Sequence, residues 1–493
     1  MRILIYTIFI FGFSFKVFAE NCERNCDASI YKNPEAFEVR HSINILNKDL
    51  NKLEALHSVT ASKEIRKNLY LGQSLYSSVL GDVGGLFIGG FELSKRYQIS
   101  AEQNFELGMF LGGGGGAALV PGDGMMEKYY LNFNQELKNG YVGSIGFSYL
   151  NISGSDVSSG TLNFGVANTQ NYAAMLGHGK ETSSSGRFLV SAKPIIKQFW
   201  PESSLKRNGT PLSKMSLVGI EAVFASSPYA LTESFVQTTG AIEGDGEGYA
   251  DIQFGFRQHL SKSSLNAFWE MSTGFGGGGG VDTGGGLLGS FGIGARFPIF
   301  NANKIELGIQ KTVSFDGELN VISPFLRTAM IFNKGKKAYH TKRKWQLSFG
   351  ATKQLANNKF RKTGVAQNTS VSLIENSVDL FVNDKVYLIG NAQTVISGKA
   401  GGYAVGLLGL GYTQPINNLF SYSFEMYLGA AGGGGINTVG GMSKAGRLEV
   451  DYNLKDDLSL SAGIGRLSSL NNKNGFNSTT LNIGFKTKFT TSH

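Results

Sequence analysis

One residue plan occurs three times along this 493-residue chain, and it is a β-plan. The units open at Gly84-Gly85, Glu247-Gly248-Tyr249 and Gly401-Gly402-Tyr403. A glycine-rich strand follows in each, then a strand carrying an aromatic and an acid: Phe105-Glu106-Leu107, Phe268-Trp269-Glu270-Met271 and Phe424-Glu425-Met426. Six residues after each Glu begins a run of small residues: Gly112 to Gly116, Gly276 to Gly280, and Ala431 through Gly432 to Gly435. Low-complexity glycine would not hold a Glu in register with the run behind it. The chain is therefore read as a triplication, and repeats of this kind stack or close on one another.

From about residue 80 the hydropathy alternates with period two. Tyr129-Tyr130-Leu131-Asn132-Phe133-Asn134 and Leu448-Glu449-Val450-Asp451-Tyr452-Asn453 each put apolar side chains on one face and polar ones on the other. Turn residues such as Lys138-Asn139-Gly140 separate the strands. The strands are about as long as a tilted membrane-crossing strand of roughly 9–11 residues. The third unit reads as eight strands, the second as seven or eight, and the first is shorter. Two architectures fit: one wide barrel or three tandem eight-stranded modules. The fold expected is all-β, a large antiparallel transmembrane β-barrel of about 20–24 strands, because closure removes exposed sheet edges. The boundaries expected are 1–19 for an export signal, 20–66 for a polar segment and helix, and 67–200, 201–340 and 341–493 for the three repeats.

The first residues set the compartment. Arg2, an apolar stretch from Ile3 to Phe15, and Val17 and Ala19 before Glu20 have the layout of a cleavable signal peptide. Its removal takes away Arg2 and Lys16 and lowers the net charge from +9 to +7. No later segment is apolar for the 18 residues a helical span requires. Gly is abundant (67), Pro scarce (9) and aromatics 12%, which suits long strands with aromatic girdles. The modest positive charge favours anionic lipid or polysaccharide; nucleic acid is not an expected partner of an exported chain. Cys22 and Cys26 could close a small disulfide loop in an oxidising compartment.

Ahead of the strands, Asn33-Pro34 reads as a helix start. Val39, Ile43, Leu46, Leu50 and Leu53 follow at spacings of four and three, a coiled-coil-like seam on a helix over 34–57. That helix could pack on the β-structure, plug a barrel, or join copies of the chain into a homo-oligomer.

Catalytic signatures are missing. There is no nucleophile elbow, no His-Glu-x-x-His and no phosphate loop, and the six His have no ligand spacing. Neither an enzyme, a cofactor nor a metal is expected. Glu106, Glu270 and Glu425 are the best site candidates. Alternation puts each opposite its apolar neighbours, facing the lumen of a barrel, where three equivalent acids could form a cation-preferring ring. The alternative is pairing with a neighbouring Lys or Arg. The small-residue runs are read as loops or as flat backbone approached closely by another element. Lys334, Lys336, Lys337, Lys342, Arg343 and Lys344 form a basic hairpin, a solvated turn or a contact for anionic headgroups.

The chain's last strand carries a family likeness. Leu481, Ile483, Phe485, Thr487 and Phe489 alternate with Asn482, Gly484, Lys486 and Lys488. This resembles the terminal β-signal of bacterial outer-membrane β-barrel proteins, though Thr487 replaces the usual apolar residue and Thr490 to His493 trail the aromatic. The resemblance implies an outer-membrane location, contact with its lipid, and insertion by the barrel-assembly machinery. A helix before a barrel is similar in layout to amyloid-secretion channels, but the glycine runs are not part of that pattern. The function expected is a channel or export conduit. The rivals are a structural or adhesive envelope protein of tandem β-modules, and an outer-membrane enzyme with a loop-built site.

Overall fold

The computed structural model describes residues 35–492, apart from 47–52, 117–122, 138–139, 173, 177–187, 226–230, 262, 264, 299–303, 332–341, 358, 363–368, 456 and 471–474. The expected export segment, Cys22, Cys26, Leu50 and, of the basic hairpin, Lys334, Lys336 and Lys337 lie outside the described residues, while Lys342, Arg343 and Lys344 begin the strand Lys342–Gln354.

Barrel 1 consists of β1 (Glu35–Leu46), β2 (Leu53–Arg66), β3 (Leu69–Gly81), β4 (Phe87–Gln98), β5 (Gln103–Gly115), β6 (Met125–Glu136), β7 (Tyr141–Ile152) and β8 (Ser158–Tyr172). A three-residue strand, β9 (Ala174–Leu176), follows. Barrel 2 consists of β10 (Phe188–Pro201), β11 (Met215–Ala225), β12 (Thr232–Gly244), β13 (Ala250–His259), β14 (Asn266–Gly277), β15 (Leu287–Pro298), β16 (Lys304–Ser314) and β17 (Asn320–Ile331). Barrel 3 consists of β18 (Lys342–Gln354), β19 (Val371–Phe381), β20 (Val386–Ser397), β21 (Ala404–Pro415), β22 (Phe420–Gly432), β23 (Met442–Lys455), β24 (Leu458–Ser469) and β25 (Asn477–Ser492).

Every neighbour pair is antiparallel, and the first and last strands of each unit pair with one another: β1 with β8, β10 with β17, β18 with β25. The repeats therefore close as three separate eight-stranded barrels, and the single wide barrel is corrected. Period two dictates which face a residue takes but not which strand closes on which. Closure on the eighth strand satisfies every edge within each unit. β9 leaves barrel 1 and adds to β25 of barrel 3, Phe489 opposite Leu176.

The N-terminal helix is also corrected. Residues 35–46 and 53–66 are the first two strands of barrel 1, and no helix occurs among the described residues. Glu38, Arg40, Ser42 and Asn44 are buried in the interior, and Val39, His41 and Ile43 fall on the other face. The seam of Val39, Ile43, Leu46 and Leu53 is divided between two paired strands, so it offers no helical surface for joining copies.

Four loops of each barrel lie at one end, here the loop end. The other three connections of each barrel, including the Lys67-Asn68 turn, lie at the opposite end, the turn end. The barrels touch through equivalent elements at the loop end. The small-residue run that ends the fifth strand of one barrel abuts the turn between the third and fourth strands of the next. Gly85 of barrel 1 meets Gly277 and Gly278 of barrel 2; Gly115 of barrel 1 meets Gly402 of barrel 3; Gly432 of barrel 3 meets Gly248 of barrel 2. The contacts run head to tail and close on themselves, so the three barrels form a ring with threefold pseudo-symmetry.

The backbones are close enough to hydrogen-bond, Gly84 N donating to Gly284 O at 2.7 Å and Gly402 N to Gly114 O at 3.2 Å. A Cβ on Gly85 would stand 2.2 Å from Gly278 N, and Gly85 has φ +88°. Side chains seal the same joints. Arg207 donates to the Asp82 and Gly84 carbonyls at 2.7 and 3.0 Å. Burial pushes its pKa down, against the pull of Asp282 and Asp82. Lys362 pairs with Glu247 at 3.3 Å, and Asp123 accepts from the Gly398 and Lys399 amides. An apolar cluster of Ile43, Ala55 and Val79 with Phe275 and Leu287 fills the joint between barrels 1 and 2. Gly85→Val is expected to force that joint apart. Strain and lost packing should cost about 1–3 kcal/mol, read as a lower unfolding midpoint with each barrel's strand signal retained.

Candidate functional site: three charged barrel interiors

The barrels are inside out compared with a water-soluble protein. On β5, Asn104 and Glu106 are buried while Phe105, Leu107, Met109 and Leu111 are exposed. Phe291 and Ile293 on β15, Leu448 and Val450 on β23, and Ile483 and Phe485 on β25 repeat the pattern. Exposed aromatics stand near the turn end, Tyr97, Phe297, Tyr412, Phe420, Tyr422 and Tyr452 among them, and near the loop end, as Tyr149 and Trp200 do, beside exposed aliphatics such as Leu260 and Ile416. A contiguous apolar surface bounded by aromatics is what hydrocarbon and a membrane interface select. A 12-residue strand such as β7 at about 3.4 Å per residue, tilted by roughly 40°, rises about 30 Å, the thickness of a hydrocarbon core.

Inside, the side chains are ionic. In barrel 2, Arg257 donates to Glu221 at 2.9 and 2.8 Å, to Glu270 at 2.9 Å and to Glu233 at 3.1 Å. Arg327 grips both oxygens of Glu270, at 2.7 and 2.8 Å. Arg296 and Lys193 each donate to Glu306 at 2.8 Å, and Lys197 pairs with Asp251 at 3.2 Å. In barrel 1, Arg40 bridges Glu106 at 2.6 Å and Glu38 at 3.0 Å. Arg96 joins the same two acids at 3.2 and 2.6 Å. Tyr130 and Ser74 donate to Glu92. In barrel 3, Arg447 gathers Glu375, Glu425 and Glu449, while Lys486 holds Glu449 at 2.6 Å and Asp451 at 2.9 Å.

Glu106, Glu270 and Glu425 occupy the fifth strand of three different barrels. They do not meet around one axis, so the expected ring is replaced by three separate ion pairs. Their equivalence is still visible in the register. Arg96 stands opposite Glu106 and Arg257 opposite Glu270, both from the fourth strand. In barrel 3 that place is Gly411, and the arginine, Arg447, comes from the sixth strand. Tyr387 fills the room over Gly411, where a Cβ would lie 2.1 Å from its ring, and donates to Glu425 at 2.6 Å. The basic partners were not singled out in the sequence. Their signal was there, since each is a cation at a polar position of an alternating strand.

At the loop end each interior is capped by apolar side chains: Leu46, Val83 and Val157 in barrel 1, Leu212, Val281 and Leu319 in barrel 2, Phe360, Ile436 and Phe476 in barrel 3. A cavity of about 20 Å³ remains in barrel 3, lined by Thr352, Asn391, Gln393 and Arg447 among others. That is room for about one water molecule. Among the described residues no group of three or more metal-ligating side chains is present.

No family model and no curated protein matches the chain. Among solved structures it is similar to the siderophore receptor PirA from Acinetobacter baumannii, at 10% identity and TM-score 0.26, covering 93% of this chain and 81% of that one. It is also similar to the ferric enterobactin receptor PfeA from Pseudomonas aeruginosa, at 10% identity and TM-score 0.28, over 93% and 82% of the two chains. A third is OccK11 (OpdR) from the same organism, at 10% identity and TM-score 0.22, over 94% and 97%. These similarities are weak and indicate no family.

Proposed function

We propose that this chain is a bacterial outer-membrane protein that holds three shut barrels together as one structural unit of the envelope, with no enzymatic step. The observation that carries the reading is the pairing of an apolar outer surface with interiors closed by ion networks and apolar caps. An eight-stranded barrel has an interior that side chains can fill, and here they do. The terminal β-signal and its implied insertion machinery agree with this location.

A conduit is the second reading, favoured by the cavity in barrel 3. It requires the caps and the network to move aside. Planar-bilayer recording separates the two. The shut scaffold is expected to pass no sustained current, and steady open conductance in the unmodified protein would reject it. The location is checked by fractionation. Recovery with outer membranes and a mobility shift on unheated gels are expected, while recovery as a soluble periplasmic protein would remove the premise.

A further inference from the structure

The pseudo-symmetry of the ring breaks in the charge of its loop end. The four loop-end connections of barrel 3 (355–370, 398–403, 433–441 and 470–476) contain Lys359, Arg361, Lys362, Lys399 and Lys473 and not one Asp or Glu. The corresponding connections hold four acids against two bases in barrel 1, and six against three in barrel 2. Two of the five cations of barrel 3 serve the fold. Arg361 donates to the Gly398 and Gly434 carbonyls, and Lys362 pairs with Glu247 of barrel 2. Lys359 and Lys399 are exposed.

The outer wall beneath these connections carries the same sign. Lys353 on β18 and Arg466 on β24 are exposed, face outward near the loop end, and flank β25, Lys353 opposite Leu481 and Arg466 opposite Thr479. Two strand spacings, about 10 Å, separate them. Lys444 takes an outward position on the next strand, β23, opposite Ser468. Lys353 donates to Ser372 at 3.1 Å and Arg466 to Asn477 at 2.6 Å, both neutral groups. No described outward-facing residue of β18, β23, β24 or β25 is an acid. On the turn-end side of these bases the wall is apolar and exposed, with Ile464, Leu481, Ile483 and Phe485.

A cationic rim above an apolar wall fits a molecule that is anionic at one end and apolar at the other. The longest connections within the barrels, 202–214 and 355–370, lie at the loop end, and in outer-membrane barrels the longer loops face outward from the cell. We propose that barrel 3 binds the phosphorylated glycolipid of the outer leaflet, lipopolysaccharide, with its phosphates held by Lys353, Arg466 and the exposed loop lysines and its acyl chains along Ile464, Leu481 and Ile483. The inference rests on the outer-membrane reading. Arginine meets phosphate oxygens as a two-pronged donor, and lysine adds a point charge. The acidic connections of barrels 1 and 2 repel the same phosphates, so the lipid is directed to one flank of the ring.

The test titrates the full-length protein in detergent with lipopolysaccharide and counts retained lipid by native mass spectrometry. The same glycolipid stripped of its phosphates, and phosphatidylglycerol, serve as the comparison probes. Retention is expected for the phosphorylated glycolipid and at least tenfold weaker for the other two. Lys353→Gln combined with Arg466→Gln should weaken retention roughly 25-fold, at about fivefold for each base removed near a lipid surface. Lys63→Gln combined with Lys95→Gln, outward bases near the turn end of barrel 1, should leave it unchanged. Equal retention by the Lys353 and Arg466 variant overturns the proposal, as does equal retention of the phosphate-free lipid or an equal loss in the turn-end variant. Phosphatidylglycerol held as tightly would show a general preference for anionic headgroups and overturns the assignment to the glycolipid. Fractionation is read separately. A protein that fractionates with outer membranes yet retains no glycolipid overturns this inference alone, whereas recovery as a soluble protein removes the location and the inference together.

Discussion

Replacing Arg257 with Met is expected to destabilise barrel 2 by about 3–5 kcal/mol, the usual cost of stranding a buried charge. Arg257 bonds to three carboxylates and is fully buried. Removing it leaves Glu221, Glu233 and Glu270 to repel one another. The loss should be partly recovered by adding Glu221→Gln, since that removes one of the stranded charges. Urea unfolding in lipid vesicles measures both variants and their combination. If the two changes simply add, the residues are not one network. Arg327, which grips Glu270 from the other side, makes Glu270→Gln a second probe, and its loss should be smaller because only one acid disappears.

Ile293→Arg is the second large effect expected. Ile293 lies mid-strand on the outer face of barrel 2 and is 59% exposed. If that face meets hydrocarbon, an arginine there costs about 2–4 kcal/mol near the midplane. On a surface that met water, the same change would fall within about 0.5 kcal/mol of neutral. Folding into vesicles followed by urea titration therefore reports on the environment of the outer face. A neutral result would sink the membrane reading, whatever the conductance.

Much of this architecture is written locally. Alternation at Tyr129 to Asn134 places Tyr130, Asn132 and Asn134 inside, and that is where they are. The register of Glu106, Glu270 and Glu425 marked the fifth strand of every barrel. What was not legible is non-local. Nothing in the spacing of β8 says that it returns to β1 rather than passing on to β10. The helix was misread for a different reason. Val39, Ile43 and Leu46 satisfy a four-and-three spacing, yet Glu38, Arg40, Ser42 and Asn44 satisfy period two equally well. The second pattern prevails because Arg40 finds Glu106, 66 positions away. The candidate site was half legible. The acids stood out because they repeat in all three units, whereas the cation opposite them repeats only in barrels 1 and 2, as Arg96 and Arg257, and moves to the sixth strand as Arg447 in barrel 3.

The ring of barrels has a further consequence. In an assembly of identical subunits, every substitution appears at all positions at once, so a change useful in one place must be tolerated in the others. Here a single polypeptide supplies all three members. Assembly needs no encounter between chains, because the neighbours arrive tethered at high effective concentration. Each member is also free to be altered alone: Arg257 has a counterpart in Arg96 of barrel 1 and a glycine, Gly411, at the same place in barrel 3. Joining the copies end to end exchanges the economy of symmetry for the freedom to make one member unlike its siblings.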